Sequence, residues 1–250
     1  MSRSTDIGHA AGKSPAWHDL LSKLKLFGRI GLPVAFFFIH LHLEKDKAMK
    51  LVIMTLPTFF VEEDKILTAL FDEGMDNLHL YKPGASPMYS ERLLSLLPEE
   101  TYGKITVHDH YYLKNEYGLA GIHIDDGTKD APQGYKGKFS MTCTDISTLA
   151  AMKKKAEYVF LADTFMRGNG GHYDKTGAQA RLAEAVSLGL IDKHVYAYGG
   201  VSIDNIKEAK ELGFGGVVVC EDLWNKFDIH NEPDYKDLIS HFGKLRKAVS

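Results

Sequence analysis

The chain has 250 residues, a formal net charge of -3 at pH 7, 44% hydrophobic residues and 25% charged ones. That balance suits a globular protein with a sizeable core, and the small acidic excess argues against a general nucleic-acid binder, which needs a basic surface. The two cysteines, Cys143 and Cys220, exclude a disulfide framework; both end apolar runs and read as small buried side chains in a reducing cytoplasm.

Residues 1–48 stand apart. Their strongly apolar run, Leu32–Leu43, is broken by two histidines and is far shorter than the roughly 20 residues that span a bilayer. Basic residues precede it as in a signal peptide, but Leu-Glu-Lys-Asp-Lys follows in place of a small-residue cleavage site. We expect an extension outside the fold, no membrane association, and a natural start at Met49, which mass spectrometry of the native N-terminus tests.

From Lys50 the chain alternates between β-rich runs and stretches of helical period. Strands are expected at Leu51–Leu56, Asn77–Tyr81, Lys104–Val107, Ala120–Ile124, Lys138–Thr142, Tyr158–Leu161, Val195–Tyr198 and Gly216–Val219. Helices are expected at Glu62–Phe71, at Ser86–Leu97 before Pro98, and in a short stretch up to Glu116. Further helices follow at Asp145–Lys155 capped by Asp145, Ala178–Leu188, Ser202–Leu212 capped by Ser202 and ended by Gly213, and Pro233–Ala248. Eight strands with seven or eight helices is the count of a closed (β/α)8 TIM barrel over residues 49–250. A doubly wound open sheet is the alternative, but no G-x-G-x-x-G follows the first strand.

In a parallel barrel the functional residues follow the strands. Those positions hold Tyr81 and Lys82, His108-Asp109-His110, Asp125-Asp126, Thr142-Cys143-Thr144, Asp163-Thr164, Gly199-Gly200 and Glu221-Asp222. Polar and acidic groups therefore crowd one rim. Several have plainer readings: His108-Asp109-His110 and Asp125-Asp126-Gly127 are also good turn sequences, and the loop from Arg167 to His172 is either a lid or filler. Asp109 paired with Asp125 or Asp126 suits Mg²⁺, which takes one or two protein carboxylates and completes its shell with water and phosphate oxygens. Gly199-Gly200 lets backbone approach an anion after the seventh strand, where barrels often bind phosphate.

The segments ITVHDHYYLKNEYGLAGIHIDD, FSMTCTD with Tyr158-Val159, and YAYGGVSIDNIKEAKELGFGGVVV resemble, in order and spacing, the thiamine-phosphate synthase and thiazole-tautomerase superfamily, from about Met49 to Gly243. The resemblance implies a Mg²⁺-dependent transferase that joins a pyrimidine methyl pyrophosphate to a thiazole phosphate and releases pyrophosphate. It carries Asp109 to the first metal aspartate, His108 to an asparagine on the pyrimidine, Thr142 to a serine near the pyrophosphate, and Gly199 and Gly200 to the thiazole phosphate. The chain departs from the pattern in several places. The second-strand Arg-x-Lys is replaced by Tyr81-Lys82-Pro83 after His79, leaving Lys82 as the available cation. The second metal aspartate aligns with Thr128, so Asp126 or Asp125 stands in. Arg167 or Lys175 replaces the loop lysine. Cys220-Glu221-Asp222 puts acids where small polar residues meet phosphate, and acids there oppose an anion.

The partners so implied are small phosphorylated substrates, with neither nucleic acid nor membrane, in a possible homo-oligomer. Two other readings follow from the departures. One is a tautomerase-like isomerase using His79 or His108, because the family's histidine falls at Thr144. The other is a non-catalytic binder of a phosphorylated thiamine precursor.

Overall fold

The computed structural model describes residues 48–127, 129–166, 175–228 and 234–250. Residues 1–47, Thr128 and Arg167 lie outside the described residues, as does the side chain of Lys175.

Eight strands form a closed parallel barrel in sequence order. They are β1 (Lys50–Met54), β2 (Leu78–Leu80), β3 (Ile105–Val107), β4 (Gly121–Ile124), β5 (Phe139–Cys143), β6 (Val159–Leu161), β7 (Val195–Tyr198) and β8 (Gly216–Val219). Every expected strand is present: β7 and β8 with the expected bounds, β1 and β5 displaced along the chain by a residue or two, and the others shortened by one residue at one or both ends. The ring closes where β8 pairs with β1, Val218 opposite Val52. No open sheet exists among the described residues.

The helices are α1 (Glu63–Asp72), α2 (Pro87–Leu96), α3 (Leu113–Glu116), α4 (Ile146–Lys155), α5 (Lys175–Ser187), α6 (Ile206–Leu212), α7 (Glu221–Trp224) and α8 (Lys236–Val249). Asp145 caps α4 as expected, its Oδ1 accepting from the Ser147 N–H at 2.9 Å. The expected cap at Ser202 is wrong. Residues 202–205 turn first, α6 starts at Ile206, and Asn205 ties this turn to β7 by donating from Nδ2 to the Gly200 carbonyl at 2.8 Å. An asparagine that bonds backbone on both sides of a turn outcompetes continued helix. Two elements were not expected: a 3-10 segment at Glu99–Lys104 and the short α7 after β8. No helix joins β4 to β5 among the described residues.

Because both faces of a parallel barrel strand are covered, the strands are buried apart from end residues such as Lys50, Phe139 and Tyr198. Outward residues such as Ile53, Leu78, Ile105, Ile122, Val159, Val195 and Val217 join the helices in one continuous apolar core. The interior of the ring is divided. On β6, β7, β8 and β1 it is filled by Phe160, Tyr196, Val218, Val52 and Met54. On β2 to β5 it is filled by buried His79, Thr106, His108, His123, Ser140 and Thr142. Among the described residues no helix is long and apolar enough to cross a membrane.

Candidate active site

Strand alternation decides which rim residues face the barrel. On β2, Leu80 turns to the helices, while His79 and Tyr81 turn inward against His108, at ring-centroid distances of 5.1 Å and 5.2 Å. On β4, His123 turns inward and Ile124 outward, so Asp125 follows His123 to the inside. The Asp125 Oδ1 accepts from His108 Nδ1 at 2.8 Å. Asp126 instead has Lys129 Nζ 3.4 Å from its Oδ2; the two carboxylates are equally half exposed, so their partners and not their burial distinguish them.

Asp109 sits next to His108 at the end of β3. Its Oδ2 is buried and has no hydrogen-bond partner. An unpartnered buried carboxylate oxygen costs free energy, so the arrangement invites a cation or a donor. Tyr81 and Tyr111 both lie within the influence of Asp109 and Asp125; burial first, then these two carboxylates, push both phenols above the usual tyrosine range. Both phenols therefore stay protonated and able to donate. The neighbouring strand ends thus bring Asp109, Asp125, His108 and Tyr81 to one side of the mouth.

Lys82 is elsewhere. Its side chain is 1% exposed, and its Nζ donates to Glu63 Oε1 at 2.6 Å and to the Leu56 and Thr58 carbonyls at 2.9 Å each. Its ring contact is Phe59, 4.5 Å away. The ammonium pins the β1–α1 loop. Thr142 is also engaged, its Oγ1 2.8 Å from His123 Nε2.

Gly199 and Gly200 end β7, across the ring from β3, with φ of +89° and +69°. The loop after β6 lies directly on them: Phe165 N–H donates to the Gly199 carbonyl at 2.9 Å, and a Cβ on Gly200 would stand 2.4 Å from the Phe165 carbonyl oxygen. Asp222 is turned aside from this backbone. Its Oδ2 accepts from His241 Nε2 at 2.7 Å and from the Ile203 N–H at 3.2 Å, which spends its charge between β7 and β8. Burial and then Glu221 push the Cys220 thiol up to about 12, which keeps it protonated.

Backbone strain marks the same rim. The non-glycine residues with positive φ among the described residues are Glu62, His110 and Asp163, which follow β1, β3 and β6 at the C-terminal face. Such conformations persist where surrounding contacts hold them, often at functional sites. His110 is held by its Nε2, which donates to the Ala85 carbonyl at 2.8 Å.

Sequence reasoning missed two participants, His123 and Tyr158. His79, His108 and His123 face one another from successive strands, with ring nitrogens within 4.8 Å of each other. His79 Nε2 is 2.8 Å from the Tyr158 hydroxyl, and His123 Nδ1 is 2.7 Å from Ser140 Oγ. Burial, and then the neighbouring His108, hold the His79 and His123 rings well below the usual histidine range, so both are neutral. The signal was present: Leu-His-Leu, Val-His-Asp and Ile-His-Ile put a histidine at the inward position of three adjacent strands.

A scan of family models and a search of curated proteins return no match. Among solved structures, that of thiamine phosphate pyrophosphorylase from Bacteroides thetaiotaomicron is 46% identical, with a TM-score of 0.69, covering 80% of this chain and 97% of that one. Thiamine phosphate pyrophosphorylase from Pyrococcus furiosus is 17% identical (TM-score 0.58, covering 80% of this chain and 95% of that one). A 3-hexulose-6-phosphate synthase is 16% identical (TM-score 0.52, covering 81% and 100%). These last two share the fold. Given the identity and coverage of the Bacteroides structure, the chain belongs to the thiamine phosphate pyrophosphorylase family.

Proposed function

We propose that this barrel is a thiamine-phosphate synthase-like transferase, which couples a pyrimidine methyl pyrophosphate to a thiazole phosphate and releases pyrophosphate. The observation that carries the reading is the buried, unpartnered Oδ2 of Asp109 beside the inward-turned Asp125. Two carboxylates at adjoining strand ends, one with an open oxygen, fit Mg²⁺. Asp109 and Asp125 would hold the ion, with Asp125 in the place first expected for Asp126. When bound, Mg²⁺ offsets the charge that develops on departing pyrophosphate.

The chain's own residues orient the two substrates. The Tyr81 phenol, kept protonated, supplies a donor at the mouth. The Gly199-Gly200 backbone across the ring suits a phosphate, which separates the two anionic groups and aims the reacting atoms at one another. Departure of pyrophosphate leaves a pyrimidine cation for the thiazole nitrogen to capture, so the pocket needs alignment and charge stabilisation more than acid–base chemistry.

The test is pyrophosphate release from the two substrates with Mg²⁺. We expect turnover in the native protein and its loss in Asp109→Ala and Asp125→Ala, with Asp126→Ala close to native. Substrate binding with no turnover in the native protein would overturn the transferase reading. One observation favours that second reading, a non-catalytic binder: the cation at the end of β2 is consumed by Glu63 and does not face the mouth.

A further inference from the structure

The buried histidines form a chain that runs from the barrel floor to the rim. Tyr158 OH lies 2.8 Å from His79 Nε2, His79 Nδ1 lies 2.9 Å from His108 Nε2, and His108 Nδ1 lies 2.8 Å from Asp125 Oδ1. The two ends together set the polarity of the links, the carboxylate by accepting and the phenol by donating. As a carboxylate, Asp125 only accepts, so His108 carries its proton on Nδ1. With its proton on Nδ1, His108 presents the Nε2 lone pair to His79, and the 2.9 Å link is made by His79 donating from Nδ1. His79 is left with a lone pair on Nε2, which takes the Tyr158 hydroxyl proton. The depressed basicity of His79 agrees with a neutral ring. Ser140, Asn77 and Thr106 surround the phenol oxygen at the inner end and can serve it in turn.

The same cluster does not read as a transition-metal centre. The His108 and His123 rings stack at 4.3 Å between centroids and 27° between planes. Metal bonds lie in the ring plane, so stacked rings aim their lone pairs nearly parallel rather than at a common point. All six ring nitrogens already have partners. His108 is also clamped on both sides, by the stacked His123 and by the edge of Tyr81 at 70°.

We propose that His79 and Tyr158 are positioning residues, which fix the tautomer of His108 and through it aim the Asp125 carboxylate at the mouth of the barrel. The inference rests on the reading of Asp125 as a working carboxylate. Partners that orient a ligand from behind typically contribute about 10–100-fold to metal affinity.

Two measurements on the full chain test it. The first is long-range ¹H–¹⁵N correlation of the histidine rings without ligand. It should show neutral Nδ1–H tautomers for both His79 and His108, and Tyr158→Phe should release His79 into a mixture. An Nε2–H tautomer at His108, or added Zn²⁺ shifting all three rings to a metal-bound pattern, overturns the chain. The second is Mn²⁺ affinity. His79→Leu and Tyr158→Phe should weaken it about 10-fold at an unchanged unfolding midpoint, and His79→Asn, with an amide nitrogen near the place of Nδ1, should restore most of it. Native affinity in His79→Leu and Tyr158→Phe overturns the positioning role. If the native protein binds no Mn²⁺, the metal reading of Asp109 and Asp125 fails, while the ring tautomers still decide the chain.

Discussion

Lys82 and Glu63 are 1% and 2% exposed at their side chains, and burial dominates the titration of both. It lowers the affinity of Lys82 for its proton and raises that of Glu63, against the mutual attraction that opposes both shifts. A pair so placed is expensive to break and cheap to replace. Lys82→Ala should destabilise the fold by about 3–5 kcal/mol in urea denaturation, whereas the double change Lys82→Met with Glu63→Leu should cost little. A Lys82 variant that lost turnover at native stability would instead return this residue to the site. His79 makes a second residue-scale prediction. Its native pKa is depressed, so below about pH 6.5 the unfolded chain binds a proton that the native ring refuses. Its contribution is therefore complete above about pH 6.5 and declines as pH falls toward the native pKa, by about 1.4 kcal/mol per pH unit. Stability measured from pH 7 to pH 5 should fall less steeply in His79→Asn than in the native chain.

Strand alternation aims the side chains, whereas on the opposite side of the ring the loops place the backbone. After β7, Gly199 and Gly200 take positive φ, and the loop after β6 lies on their backbone where a Cβ would stand. Gly200→Ala meets both penalties, a strained φ of +69° and a Cβ 2.4 Å from the Phe165 carbonyl oxygen. Loss of about 1–3 kcal/mol is expected in thermal or urea unfolding, together with weaker binding of inorganic phosphate. A fully stable variant would mean that the β6–β7 contact is looser than its geometry. The turn at Asn205 and the carboxylate of Asp222 belong to the same corner: Asn205 closes the loop after β7 on the Gly200 carbonyl, and Asp222 ties that loop, through the Ile203 N–H, to the segment after β8 and to His241 of α8.

Over the whole molecule, the closed ring begins with Met49, whose N–H donates to the Val249 carbonyl at 2.9 Å, so the two ends of residues 49–250 are stapled together. We propose that this segment folds alone. Expressed by itself, it should unfold in one cooperative transition with a midpoint within a few degrees of the full chain. A large drop, or insolubility, would show that the extension is part of the fold.

How much was legible in the sequence follows from range. Strand and helix periods, Asp145 at the start of α4 and Gly213 at the end of α6 are local signals, set by alternation and capping within a few residues, and all appear in the structure. The acidic rim was legible for the same reason, since strand ends are local. The identity of its inward members was not. Asp125 and Asp126 are adjacent and chemically alike; one residue further along the bend after β4, the partner changes from the His108 ring to Lys129. Lys82 looked free because its partner, Glu63, comes from an earlier helix. The sequence by itself determined the ring of alternating elements, because hydrophobic period is a property of neighbours along the chain. Only the tertiary structure decided which polar groups share the interior, because ring closure sets the register that brings Tyr158 under His79 and His108 under Asp125, and no local pattern contains that register.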